Sequence, residues 1–170
     1  MTALSEGQKG NRELLKSKRS IGEILDVAME FERTARDFYA DLVGKVSKQL
    51  RYLAEELSEE EQRHYDLLKE LRERPGLEDQ IGQMVEVPAS DGRFSDAVHL
   101  PKLGDEPDDQ AVLQFAMGRE QKAIEQYSAL AEVTDPGPIR ELFEFLANEE
   151  LQHKAELEKI YYETVHSGGV

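Results

Sequence analysis

The chain has 170 residues, of which 36 are acidic and 21 basic, for a net charge of -15, with 39% hydrophobic residues and no cysteine. A chain of this length fits one domain with a core that needs no disulfide, and its acidity argues against nucleic acid or an anionic membrane surface as a partner. No stretch reaches the roughly 18 apolar residues of a membrane span, no apolar segment marks a signal peptide near the start, and the lack of cysteine excludes thiol catalysis and thiolate metal sites; a cytoplasmic location is the expectation.

Residues 1–19 are polar and contain two glycines, which predicts a flexible arm. Ser20 and Glu23 have the spacing of a capping box. From there Ile21, Ile24, Leu25, Ala28, Phe31, Ala35, Phe38, Tyr39 and Leu42 recur three and four apart, which predicts a helix over about 20–43. After Gly44 a second helix is expected over about 47–73, carrying Leu50, Leu53, Ala54, Leu57, Leu67, Leu68 and Leu71, and Pro75-Gly76 ends it. Residues 75–106 are rich in Pro, Gly and Asp and form a long connection that includes His99. Part of so long a connection should be ordered, and the stretch around Met84, Val85 and Val87 is the part that could pack on the helices. A third helix is expected over about 107–131, with Pro107 at its first position. After the turn Asp135-Pro136-Gly137-Pro138, a fourth follows over about 137–165.

Short links make antiparallel neighbours, and a crossover of this length can return the chain along a bundle of helices near 37 Å long, at roughly 1.5 Å per residue. The expected fold is therefore all-α: an antiparallel four-helix bundle over residues 20–166, built as two helical hairpins joined by a long crossover.

The halves repeat. At an offset of 88, Ala28, Met29, Glu32, Ala35, Tyr39 and Leu42 match Ala116, Met117, Glu120, Ala123, Tyr127 and Leu130. At an offset of 89, Leu57, Glu60, Glu61 and His64 match Leu146, Glu149, Glu150 and His153. Leu and Ala alone could reflect helical periodicity. Repeated Glu, Tyr and His at fixed spacing describe two copies of one hairpin about an approximate two-fold axis.

Glu61 and His64 stand three apart on a helix, as do Glu150 and His153, so each pair can offer a carboxylate and an imidazole toward one point. Glu32 and Glu120 add a carboxylate from each remaining helix. One glutamate from two helices and a Glu-x-x-His pair from the other two is the donor pattern of a carboxylate-bridged pair of metal ions in a bundle. Oxygen-rich donors with one imidazole per ion suit iron or manganese. Four carboxylates also balance two divalent ions in charge. A single Glu-x-x-His on so acidic a helix would be weak; two, each preceded by a matching helix, make a strong signal. Tyr39 and Tyr127 follow Glu32 and Glu120 by seven residues, on the same stripe, where a hydroxyl can hold a ligand carboxylate. Glu60 could support the ligands from outside. His99 and His166 have no such partners and are expected to be ordinary surface residues.

The segments AMEFERTARDFY (28–39), EEEQRH (59–64), AMGREQKAIEQY (116–127) and NEELQH (148–153) resemble the rubrerythrin-like branch of the ferritin-like superfamily over about residues 20–165. The resemblance implies a centre of two iron ions, with manganese the other candidate. Glu32 and Glu120 then match the terminal or semi-bridging carboxylates, Glu61 and Glu150 the bridging ones, and His64 and His153 one ligand to each iron. It further implies an oxidoreductase that oxidises ferrous iron with hydrogen peroxide or dioxygen and protects against peroxide. A possible homodimer belongs to the same expectation. Two departures stand out. The cysteine-rich rubredoxin module of rubrerythrins is missing, so an electron donor would be an external protein. The additional glutamate three residues after the third-helix ligand is here Ala123, as its repeat mate is Ala35, so rubrerythrin-type peroxidase action is in question. An iron-handling or storage protein of ferritin type and a non-catalytic, metal-stabilised binding bundle are the rival readings, with a manganese catalase a smaller one.

Overall fold

Four long helices account for most of residues 18–86 and 108–167, which the computed structural model describes. Helix α1 spans Ile21–Leu42. It starts where expected because Ser20 is extended and its hydroxyl accepts a hydrogen bond from the Glu23 amide at 3.1 Å, satisfying one of the free amides of the first turn. Helix α2 spans Lys48–Glu73. Past it, Pro75 cannot continue a helix, and Gly76 takes a positive φ of 89°, which reverses the chain at no steric cost.

The crossover begins as an ordered segment. A short helix α3 (Glu78–Ile81) leads into strand β2 (Met84–Glu86), which pairs antiparallel with strand β1 (Lys18–Ser20), Arg19 opposite Val85. The Ile21 amide extends the tie by donating to the Gln83 carbonyl at 3.0 Å. Gly22 permits the close approach: a Cβ there would lie 2.7 Å from Ile81 Cγ2. Lys18 and Arg19, expected within a flexible arm over 1–19, are instead held in a strand; residues 1–17, 87–107 and 168–170, with Val87, His99 and Pro107, lie outside the described residues.

Helix α4 spans Asp109–Val133. Its cap is Asp108, whose side chain accepts from the Ala111 amide at 2.7 Å, so the helix starts two residues later than the expected 107. The Ser47 hydroxyl donates to Asp109 Oδ2 at 2.6 Å and ties the α1–α2 turn to this end of α4. Helix α5 spans Pro138–Ser167 and begins on a proline, whose missing amide would be unpaired there anyway. None of these helices is long and apolar enough to cross a membrane.

The core divides into two apolar clusters with a polar layer between them. One holds Ile24, Leu25, Ala28, Leu68, Tyr127, Phe143 and Leu146 among others, and the second holds Tyr39, Leu50, Leu53, Leu57, Leu113, Ala116 and Leu157 among others. Along α1 and α5 the chain passes from the first cluster to the second; along α2 and α4 it passes from the second to the first. Each hairpin is therefore antiparallel, while α2 and α4 run the same way. The end of α2 and the start of α4 therefore lie at opposite ends of the bundle.

Candidate metal centre

The polar layer consists of Glu32 on α1, Glu61 and His64 on α2, Glu120 on α4, and Glu150 and His153 on α5, all buried. Helical spacing explains why they meet. Each lies on the inward stripe of its helix, and at this level the apolar residues give way to donors on all four helices at once. All six candidate ligands of the sequence reading are brought together. The ligand atoms of Glu32, Glu61, His64 and Glu150 lie within 4.8 Å of one another, and so do those of Glu61, Glu120, Glu150 and His153. Glu61 and Glu150 belong to both groups.

Both imidazoles aim Nδ1 into the layer. His64 Nδ1 is 3.1 Å from Glu61 Oε2 and from Glu150 Oε1, and 3.6 Å from Glu32 Oε2. His153 Nδ1 is 3.2 Å from Glu150 Oε2, 3.5 Å from Glu61 Oε1 and 3.8 Å from Glu120 Oε2. The rings stack face to face, with centroids 5.5 Å apart and planes 13° apart.

Two kinds of side chain hold these donors from outside, and both cross from one half to the other. Tyr39 donates its hydroxyl to Glu120 Oε1 at 2.5 Å, and Tyr127 donates to Glu32 Oε1. The outer nitrogens of the histidines face glutamates in the same crosswise way: His153 Nε2 contacts Glu60 Oε2, and His64 Nε2 is 4.0 Å from Glu149 Oε2. Glu60 thus serves the histidine of the other hairpin. Glu149, its repeat mate, was legible in the sequence as a partner at offset 89 but carried no role there. Arg119 was also missed. It is buried between the rings of Phe31 and Phe38, 5.5 and 5.2 Å from their centroids, and it stands where the first half has Phe31. His166 is exposed and packs on Tyr162, as a surface residue does.

Protonation follows from crowding four carboxylates in a dry layer. Burial, then the charges of Glu61 and Glu150, raise the Glu32 carboxyl well above the usual range. Burial and Glu150 do the same to Glu120. For Glu150, burial also opposes ionisation, but hydrogen bonds from Glu120, His153 and His64 outweigh it and hold the group low. Glu61 is lowered in the same way, by His153, His64 and Glu32 acting against burial and the Glu150 charge. Burial disfavours the charged imidazoles, yet the negative carboxylates around them prevail and push both upward: Glu150, Glu32 and Glu61 for His64, and Glu150, Glu60 and Glu61 for His153. Burial, then Glu120, raises the Tyr39 phenol; burial, then Glu32, raises that of Tyr127. Both remain proton donors.

The donor set fits two divalent cations. Glu32 Oε2 is buried without a hydrogen-bond partner, which is costly for a carboxylate oxygen unless a cation satisfies it. Each group offers three carboxylates and one imidazole, and the four carboxylates together match two divalent charges.

Comparison with known proteins agrees with this architecture. The family model described as Rubrerythrin matches residues 111–166, which is nearly all of the second hairpin and includes Glu120, Tyr127, Glu150 and His153. A crystal structure described as a ferritin-like diiron-carboxylate protein from Thermotoga maritima superposes with a TM-score of 0.65 at 19% identity, covering 86% of this chain and 97% of that one. No curated protein matches the sequence.

Proposed function

We propose that this chain, a rubrerythrin-like member of the ferritin-like superfamily, is a di-iron oxidoreductase that oxidises ferrous iron with hydrogen peroxide or dioxygen. The observation that carries this reading is the pair of overlapping donor groups sharing Glu61 and Glu150. Two ions held by shared carboxylates can act on both ends of one O–O bond. Iron is favoured because oxygen-rich donors with one imidazole per ion suit it, and because the structural relative is described as a diiron-carboxylate protein.

In this reading Glu32 and His64 would hold one ion and Glu120 and His153 the other, with Glu61 and Glu150, which belong to both donor groups, available to either. The iron pair, when bound, supplies two electrons. With two protons, those electrons would suffice to take one hydrogen peroxide to two waters, or one dioxygen to one hydrogen peroxide, the iron going from ferrous to ferric. The chain's own task is placement. Tyr39 and Tyr127 fix the orientation of Glu120 and Glu32 through hydroxyls that stay protonated. Glu60 and Glu149 face the outer nitrogens of the histidines and favour the tautomer with Nδ1 free to bind. The apolar clusters on either side keep bulk water out. Return of the iron to the ferrous state would draw on an electron donor outside the bundle.

Anaerobic titration with ferrous iron, followed by rapid mixing with each oxidant, tests the proposal. Two irons per chain and fast formation of a ferric pair are expected, and Glu61→Ala and Glu150→Ala should each abolish the dinuclear optical signature. A signature that survives both changes would sink the site. Binding without turnover toward either oxidant would favour a metal-stabilised binding bundle instead.

A further inference from the structure

The polar layer has unequal surroundings on its two sides. On one, the ring of Phe143 stacks against Tyr127, with centroids 6.2 Å apart. On the other, Tyr39 lines a cavity of about 20 Å³. The offset that matches Glu61 to Glu150 also matches Ala54 to Phe143. Elsewhere the wall is alike in the two halves: Leu50, Leu53 and Leu57 match Ile139, Leu142 and Leu146. The cavity therefore lies where the second half has a phenyl ring and the first has a methyl group.

Its lining is buried and apolar throughout except for the Tyr39 hydroxyl, and that hydroxyl is committed to Glu120 at 2.5 Å. The space exceeds the roughly 10–15 Å³ that one water needs, but a water also needs two to four polar partners. Hydrogen peroxide has the same requirement. Dioxygen, apolar and without hydrogen bonds to satisfy, does not. The cavity also adjoins the donors. Leu57, Ala116 and Leu157 in its wall each stand one helical turn from Glu61, Glu120 and His153, and the ring of Tyr39 joins the cavity wall to a candidate ligand.

We propose that this cavity is a holding site for dioxygen beside the metal centre, so that dioxygen is the oxidant the fold is built to gather. The use made of the gas rests on the di-iron reading; its binding does not.

Xenon, an apolar probe of dry cavities, separates the two. Crystals of the full chain under xenon pressure should show one atom between Tyr39 and Ala54, with or without metal. Ala54→Phe, which copies the second half, should abolish it. In the ferrous-loaded protein the same change should lower the rate with dioxygen roughly tenfold, through loss of a reactant held close, while the rate with peroxide changes far less. If Ala54→Phe does not fold, Ala54→Val, a smaller filling, should lower both xenon occupancy and the dioxygen-to-peroxide rate ratio. No xenon in the wild-type cavity, or an ordered water there, overturns the proposal. So does an unchanged rate ratio in a variant that has lost xenon. A loaded protein that reacts with neither oxidant defeats the di-iron reading, while xenon occupancy still decides whether the cavity holds gas.

Discussion

At the scale of residues, the candidate ligands were legible because helical geometry converts spacing into direction. Glu61 and His64 three apart, and the same pair at Glu150 and His153, had to face one point. What the sequence could not show was the partner of each supporting group. A seven-residue spacing places Tyr39 on the stripe of Glu32, yet its hydroxyl reaches Glu120 in the other half. The same holds for Glu60, which stands beside the ligand Glu61 but contacts His153. Arg119 hid for a different reason: it occupies an inward position where its repeat mate is Phe31, so no pattern announces a buried cation. The outer glutamates give a direct test. Replacing Glu60 and Glu149 together with Ala leaves each imidazole without an oriented acceptor, so affinity for the metal pair should fall about 10- to 100-fold. Competition titration with a chelator measures this. An unchanged affinity would show that the histidines need no such support.

At the scale of elements, the four helices were readable from three-and-four periodicity, and their ends from Ser20 and the Pro75-Gly76 pair. The β1–β2 pairing was not. Strands of three residues carry no usable period, and their partners are separated by all of α1 and α2. The contact that depends most on side-chain size is Gly22 under Ile81. A Gly22→Val change would gain a few tenths of a kcal/mol in helix propensity but would overpack the junction at a cost of about 1–3 kcal/mol. The net expectation is a loss of stability, measured as a lower urea midpoint at constant slope. A gain would mean that α3 yields freely and is not part of the tie.

At the scale of the molecule, the up-down-down-up order followed from unequal link lengths and is confirmed by the order in which each helix meets the two apolar clusters. The charge held inside the bundle makes pH dependence a readout of its contents. In the metal-free protein, Glu32, Glu120, His64 and His153 hold protons more firmly than in the unfolded chain. The stability they contribute is complete below the ordinary values, 4.5 for the carboxyls and 6.5 for the imidazoles, and is lost as pH climbs toward the raised ones. Glu61 and Glu150 act oppositely: their contribution is present above 4.5 and is lost only as pH falls through their lowered values. Between about pH 5 and 8 the metal-free protein should therefore lose stability as pH rises. The metal-loaded protein, whose donors must be deprotonated, should gain it. Chelation at neutral pH should lower the melting temperature. Thermal unfolding of both forms across this range checks the signs, and parallel slopes would argue against a metal-filled interior.

Neither hairpin owns a complete set of donors. The first group takes Glu150 from the second hairpin, and the second group takes Glu61 from the first. Bound ions would therefore add rivets between two pieces of polypeptide whose covalent connection is residues 74–108, beyond the apolar packing and hydrogen bonds that already cross between them. If a protease site is introduced among residues 87–107 and cut, the two fragments should travel as one species in gel filtration while metal is bound and part when it is withdrawn. Fragments that part with metal still bound would show that the ions do not fasten one hairpin to the other.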